Sequence, residues 1–355
     1  MLRAIGLMSG TSLDGVDAAW LESDGERIGR TGPSLTLPYD DALRADLRRV
    51  LDLAPTLSAS EPLLTDVTAR LTARHAEAVA ALGVAADIVG FHGQTILHRP
   101  TERRTWQIGD AAALARAVGM SVAWDFRSAD VTAGGEGAPF APIFHAALAE
   151  EMRRPLAVLN IGGVANITWI GGDGSLLACD TGPGNGPLDD WARAHTGAAF
   201  DRDGAMAASG RADTEVLARL LAHPYFARPM PKSLDRLEFS DALAASGLSR
   251  LSAADGAATL ATFTAEAVAR SPLPGRPLRV LVCGGGRKNP AIMAALRARL
   301  PMPVEPVEAV GWDGDALEAQ CFAHLSVRVL RGLPLSLPGT TGVPHPMPGG
   351  RIARA

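Results

Sequence analysis

Arg3-Ala4-Ile5-Gly6-Leu7-Met8, then Ser9-Gly10-Thr11-Ser12-Leu13-Asp14-Gly15, then Val16-Asp17-Ala18-Ala19-Trp20-Leu21, decides how this chain is read. The outer runs have the apolar character of strands and the middle is a polar, glycine-containing turn. The spacing predicts a hairpin whose loop is longer than the usual two residues. The same order returns at Leu156–Ile161, Gly162-Gly163 and Ala165–Ile170. The second opening strand is a continuous apolar run, the pattern of a strand buried on both faces. Strand, polar turn, strand, twice over and each time followed by further strands and helices, predicts two similar α/β domains.

Two helices are expected after the first hairpin, the second carrying the stripe Leu63, Val67, Leu71, Val79 and Leu82. Asp87–Phe91 reads as a short strand ending at His92-Gly93-Gln94-Thr95, and Asp110 as the N-cap of Ala111–Val118. Ser121–Trp124 ends at Asp125-Phe126-Arg127, and Gly134-Gly135-Glu136-Gly137 leads through Pro139 into a helix to about Glu151. In the second half, Leu176–Cys179 ends at Asp180-Thr181-Gly182-Pro183-Gly184-Asn185, with Pro187 in the first turn of the next helix. Leu278–Cys283 runs into Gly284-Gly285-Gly286, and Asn289-Pro290 starts another helix. A last helix is expected over Gly314–Leu330, followed by a proline- and glycine-rich surface tail from Pro334. The division this suggests is 1–150 with the tail 332–355, and 151–331.

A length of 355 residues fits two domains, or three, and 47% apolar with 20% charged residues is ample for packed cores. A net charge of −4 and a pI near 6.1 argue against nucleic acid as the main partner. The lack of an eighteen-residue uncharged apolar stretch argues against a membrane span. The opening strand has neither the basic flank nor the cleavage site of a signal peptide. Cys179, Cys283 and Cys321 are sparse and far apart, as expected in a reducing cytoplasm, and no zinc-ligand spacing occurs. Lysine occurs only at Lys232 and Lys288 among 34 basic residues, which reads as a coding bias.

Ser9, Gly10, Thr11 and Ser12 offer hydroxyls and approachable amides that suit a polyphosphate. Asp14 and Asp17 fit beside them if a divalent cation bridges the carboxylates, through water, to the phosphates. An ordinary hairpin loop is the alternative. Gly162-Gly163 with Asn166 repeats the arrangement in the second half. Gly284-Gly285-Gly286 lies where ligands bind in open α/β sheets, or is simply a tight strand-to-helix turn. Asp180, after a strand and before a glycine-rich turn, is the leading candidate for a general base; a turn or cap aspartate is the alternative. Glu318 begins an otherwise apolar helical face, where it either acts on substrate or complements the helix dipole. Gln94, Thr95, Asp110, Asp125 and Arg127 have the donors and acceptors that recognise sugar hydroxyls and a carboxylate. His92 reads as a hydrogen-bonded strand-end residue. The sequence contains no P-loop, no protein-kinase catalytic loop and no serine-hydrolase elbow.

Gly6 through Asp17 resembles the signature of the anhydro-N-acetylmuramic acid kinase family. So do His92-Gly93-Gln94-Thr95, Gln107-Ile108-Gly109-Asp110, Asp125-Phe126-Arg127, Gly135-Glu136-Gly137-Ala138-Pro139, Asn160-Ile161-Gly162-Gly163, Asp180 through Asn185 and Cys283-Gly284-Gly285-Gly286. These run in family order over nearly the whole chain. Thr341-Gly342 fits as well, whereas His345–Gly350 is unusually proline-rich. The resemblance implies two RNase H-like, actin-like ATPase domains with an interdomain nucleotide cleft. It implies ATP and Mg²⁺ as cofactors, with Gly10, Thr11, Ser12, Leu13, Asp14, Gly15, Val16 and Asp17, together with Gly162, Gly163, Asn166, Gly284, Gly285 and Gly286, on the nucleotide. Asp14 and Asp17 would hold the metal through water. Asp180 would activate water against the anomeric carbon of 1,6-anhydro-N-acetylmuramate, and the freed 6-oxygen would take the γ-phosphoryl group, a step in peptidoglycan recycling. Gln94, Thr95, Asp110, Asp125, Arg127 and Glu318 would be the sugar-side groups. A homodimer is a further family-level expectation. Another sugar kinase of the same superfamily, or a non-catalytic sugar sensor, are the competing readings; the absence of a basic helical head disfavours the sensor.

Overall fold

In a computed structural model, residues 1–10, 12–235 and 238–355 are described, so the expectation placed on Thr11 falls outside them. The chain forms two compact units, Met1–Glu151 with Ala316–Ala355, and Met152–Asp315.

The first unit opens as an antiparallel meander of β1 (Leu2–Ser9), β2 (Gly15–Ser23) and β3 (Ile28–Pro38). β4 (Ile88–Arg99) then lies parallel to β1, with β5 (Arg104–Ile108) antiparallel against its second half. β6 (Val122–Trp124) is parallel to β4. In the second unit β7 (Leu156–Ile161), β8 (Val164–Ile170) and β9 (Leu176–Pro183) form another antiparallel meander. β10 (Val280–Cys283) is parallel to β7, and β11 (Val304–Pro306) is parallel to β10. Finally β12 (Arg351–Ala353) returns to the first sheet, antiparallel to β6. The strand orders are β12-β6-β4-β1-β2-β3 and β11-β10-β7-β8-β9. Each therefore contains the same winding: a three-strand meander whose first strand is continued by two parallel strands. This is the RNase H-like topology.

Alternation along β1 sends Ile5 and Leu7 to a core shared with Leu47, Leu71 and Leu114, from the helices Asp41–Leu53, Pro62–Leu82 and Ala111–Val118. Val67, Leu71, Val79 and Leu82 of the expected stripe are buried. Gly6 faces the other way, where a Cβ would stand 1.8 Å from the carbonyl oxygen of Ala319; at Gly90 one would stand 2.0 Å from that of Phe322. These two glycines let the backbone of the helix Leu317–Leu330 lie directly on β1 and β4. That helix was expected with the second half. It belongs to the first unit, where Gly6 and Gly90 admit its backbone against the sheet. In the second unit Leu159, Ile167 and Val282 pack with Leu260, Phe263 and Ile292.

Three further expectations are corrected. β3 was not foreseen: most of its residues are exposed, so the apolar alternation that marks a half-buried strand is missing. β4 does not stop at Phe91. It bulges at His92-Gly93, where Leu7 pairs with Phe91 and Ser9 with Gln94, and carries on to Arg99. The tail is not simply surface: Leu335, Thr340, Thr341 and Val343 are buried, and β12 extends the sheet.

Candidate active site

The first unit's hairpin turn begins at the end of β1. The buried Ser9 hydroxyl lies 2.7 Å from the Tyr39 hydroxyl and donates to Oε1 of Gln94 at 2.5 Å. Gln94 itself is fully buried inside β4, not at a strand end, and its amide donates to the carbonyl of Thr95. Thr95 accepts from Gln107 at 3.2 Å. Leu13 adopts a left-handed conformation, φ 57°, while its side chain is buried, and its amide donates to Gly10. Arg44 donates to the Leu13 carbonyl at 2.9 Å and lies 3.7 Å from the exposed Asp14 carboxylate. Asp17, on β2, accepts from Thr36 at 2.6 Å. Gly15 and Val16 are buried where β2 starts, and a Cβ on Gly15 would meet the Leu37 carbonyl at 2.4 Å. Gly10 is open: the nearest atom to a Cβ there is Ser12 Oγ at 3.7 Å. Ser12 is exposed.

Asp110 caps the helix Ala111–Val118, accepting from Ala113 at 2.9 Å. Asp125, held at φ 56°, pairs with Arg351 of β12 at 3.1 Å. Arg127 donates through Nε to Nε2 of His92 at 3.0 Å and through Nη1 to the Gly137 carbonyl at 2.6 Å, with its guanidinium 5.4 Å from the centre of the Phe140 ring. His92 Nδ1 is 2.7 Å from the Gly93 carbonyl, so Nδ1 carries the proton and Nε2 is the acceptor. Burial, and then the Arg127 charge, hold His92 well below the usual imidazole range. Burial also lowers the Arg127 pKa, against the favourable charges of Glu318 and Asp130. Glu318 is exposed in the first turn of the Leu317–Leu330 helix.

In the second unit Gly162 and Gly163 form the β7–β8 turn. Among the described residues no atom lies within 4 Å of a Cβ on Gly163, and the nearest to one on Gly162 is at 3.5 Å. The carbonyls of this turn accept from the amides of Gly184, Asn185 and Gly186, so the segment after β9 is fastened beneath it. Asn160 and Asn166 face one another across the hairpin, and Asn166 pairs with Asp180 across β8 and β9. Asp180 lies within β9, not after it, which removes the turn or cap alternative. Its carboxylate accepts from the Leu234 amide at 2.7 Å, its amide donates to the Lys232 carbonyl at 2.9 Å, and its carbonyl accepts from the Tyr225 hydroxyl at 2.7 Å. At Gly284, φ 75°, a Cβ would stand 2.2 Å from Asn160 Oδ1, and at Gly286 one would stand 2.3 Å from Ile161. Close packing on β7 accounts for these two; at Gly285 the nearest atom is Asn185 Nδ2 at 3.2 Å.

Tyr225, Lys232 and Leu234 around Asp180 escaped the sequence reading, as did the buried Oδ1 of Asn185, which lies beside the Gly286 turn with no partner among the described residues. The rarity of lysine was the one available signal for Lys232. Open turns at Gly10 and at Gly162-Gly163, which any side chain would fill, suit a polyphosphate backbone. Among the described residues no group of three or more His, Cys, Asp or Glu side chains could hold a metal ion. The pair Asp14 and Asp17 still suits Mg²⁺, which keeps several waters and uses one or two carboxylates with substrate phosphates.

The repeated winding, with a small-residue turn after the first strand of each meander, defines a duplicated RNase H-like scaffold. The family model described as anhydro-N-acetylmuramic acid kinase matches residues 2–354. The anhydro-N-acetylmuramic acid kinase of Acidiphilium cryptum is 67% identical over 99% of this chain and 98% of its own length; that of Gluconobacter oxydans is 57% identical over 99% of each. The chain belongs to the anhydro-N-acetylmuramic acid kinase family. A solved structure of (R)-2-hydroxyglutaryl-CoA dehydratase component A from Acidaminococcus fermentans aligns at TM-score 0.46 and 11% identity, covering 92% of this chain and 99% of that one. That likeness is remote and bears on no functional statement. Among the described residues no helix is long and apolar enough to cross a membrane.

Proposed function

We propose that this protein uses ATP and water to open 1,6-anhydro-N-acetylmuramic acid and phosphorylate its 6-oxygen, releasing N-acetylmuramic acid 6-phosphate, ADP and a proton. The observation that carries this is membership of the family over the full chain at up to 67% identity. Water adds at the anomeric carbon, the bond from that carbon to the 6-oxygen breaks, and the 6-oxygen takes the γ-phosphoryl group. Asp180 receives the proton of the attacking water. The Leu234 amide holds its carboxylate, while the Lys232 carbonyl and the Tyr225 hydroxyl hold its backbone.

The proposal gives the turn Gly10–Asp17, with Gly162, Gly163 and Asn166, to the phosphates, and the Gly284-Gly285-Gly286 turn to the rest of the nucleotide. Asp14 and Asp17 would hold Mg²⁺ through water, which would neutralise phosphate charge during transfer. Gln94, Thr95, Asp110, Asp125, Arg127 and Glu318 are assigned to the sugar. Arg127, already committed to His92 and Gly137, would present its remaining edge to the lactyl carboxylate. The place of action is the cytoplasm, in peptidoglycan recycling; the three buried, unbridged cysteines suit a reducing compartment. A homodimer is part of the same reading, tested by sedimentation velocity. The decisive assay is ADP release with the anhydro sugar against unmodified N-acetylmuramic acid. Turnover of the former, with one solvent oxygen at the anomeric centre, is the expected result. Equal use of ordinary hexoses would overturn it.

A further inference from the structure

We infer that Lys232 is a positioning residue for Asp180, its buried ammonium and the backbone from its own carbonyl to the Leu234 amide holding that carboxylate in place. The inference rests on the reading of Asp180 as the base. Lys232 is 6% exposed, whereas the only other lysine, Lys288, has a side chain 60% exposed and pairs with Asp315. Its ammonium stands 4.4 Å from the centre of the Tyr225 ring and donates to the Tyr225 carbonyl at 3.2 Å. The carbonyl of Lys232 accepts from the Asp180 amide at 2.9 Å, and two residues on the Leu234 amide donates to the Asp180 carboxylate at 2.7 Å. Tyr225 closes the ring of contacts by donating from its hydroxyl to the Asp180 carbonyl at 2.7 Å. Lysine, ring and strap thus form one unit around the aspartate, and removing the ammonium strips the strap of its anchor.

A buried ammonium is costly unless its surroundings compensate it. Burial does push Lys232 below the usual lysine range. Among the described residues, these groups face it. From β9 come Asp180 and Cys179, whose thiol burial pushes up to about 12 and so keeps neutral. From the turn Pro224–Ala227 comes Tyr225, whose phenol burial pushes far up, and beyond it Arg228, which disfavours the ammonium and is itself bonded to Glu238. Asp180 favours the charged lysine. The attraction is mutual, so the lysine favours the ionised aspartate. A base must be ionised to accept a proton, and a charged lysine nearby favours that form.

The test is the pH profile of kcat/KM for ADP release in Lys232→Met and Lys232→Arg, with circular dichroism to confirm folding. In Lys232→Met the acid limb is expected to move upward by about one pH unit, a tenfold loss on that limb, with KM for ATP unchanged. Lys232→Arg, which keeps the charge, should leave the limb in place whatever it does to the plateau. If the methionine variant does not fold, Lys232→Gln, which keeps a donor for the Tyr225 carbonyl, serves as the neutral variant. An unmoved limb in the folded neutral variant overturns the inference. Asp180→Asn separates the two readings. Lost turnover there with an unmoved limb in the lysine variant overturns only the role of Lys232; retained turnover overturns the base assignment and this inference with it.

Discussion

The two units share one winding and differ in what they bury. The first encloses His75, His92, His145 and His324, while the second encloses the ammonium of Lys232 beside Asp180. Their hairpin turns differ as well: Ser9 to Asp14 in one, the pair Gly162-Gly163 in the other. Apolar alternation sets a topology that can be used twice, because both copies need only a meander and two parallel strands with covered faces. Polar contents are set by the site each copy must serve. The comparison therefore predicts that the units respond differently to acid, to loss of charge and to loss of space.

Acid should produce the largest effect, and the greater part of it in the first unit. Burial lowers His75 to about 4 and His145 and His324 to about 3. His75 gives its Nδ1 proton to the Leu71 carbonyl, and its Nε2, like that of His324, has no partner among the described residues that could accept a second proton. Below pH 6.5 the unfolded chain takes up protons that the folded unit refuses, so stability falls as pH falls until the folded values are reached. Each histidine contributes roughly 3 kcal/mol by pH 4, and together they match the whole stability of an ordinary domain. In the second unit His195 is exposed and His223 partly buried. Pulsed hydrogen exchange after equilibration at stepped pH should show Met1–Glu151 losing protection before Met152–Asp315. Simultaneous loss would break the comparison.

Asp180→Asn tests the second unit's side. It keeps the hydrogen-bond acceptor for Leu234 but not the base, so turnover should fall by about 10²–10⁴ while ATP binding by calorimetry persists. Wild-type turnover in a folded variant would remove Asp180 from the role.

Glycines sharpen the contrast within a single residue type. Gly6→Ala drives a Cβ into the backbone of the Leu317–Leu330 helix and should cost about 3 kcal/mol in urea unfolding, whatever ligand is present. Gly163→Ala meets nothing within 4 Å among the described residues and should change stability by less than about 0.5 kcal/mol, yet weaken ATP, because its methyl group enters the space assigned to phosphate. If ATP protects Gly163→Ala as it does the unchanged protein, that turn is not a phosphate cradle.

Both hairpins, the parallel strands and the caps at Asp110 and Asn289 were legible, because burial and capping write themselves into apolar runs and single polar residues. β3 was not, since an exposed edge strand with Gly29, Gly32 and Pro33 carries no period. Gln94 and Thr95 were legible as polar residues near a sheet, but not as interior strand positions, because the bulge at His92-Gly93 looks in sequence like a strand end. The same holds for Asp180, whose strand continues through glycine and proline. Lys232 was hidden for another reason. Its contacts with Tyr225 and Asp180 are long-range, and a lone lysine in an arginine-rich chain resembles bias until its burial is seen.

The tail reaches the assigned sugar groups by a traceable route. The Thr341 hydroxyl donates to one carboxylate oxygen of buried Asp130 at 2.6 Å, and the other oxygen accepts from the Gly137 amide at 2.7 Å. The Gly137 carbonyl in turn receives Arg127 at 2.6 Å, while the Thr341 carbonyl accepts from the Glu136 amide. Thr341→Val keeps the volume but leaves one Asp130 oxygen without this donor, which should cost about 1–3 kcal/mol in the first unit. Because the chain of bonds ends at Arg127, the loss should also raise KM for the anhydro sugar severalfold with little change in kcat, the pattern of weakened binding in ground and transition states alike. Thr341→Ser retains the donor and should restore both. A raised KM for ATP instead, or an altered kcat at unchanged KM, would cut the connection between the tail and the sugar side and leave Thr341 with a part in stability alone.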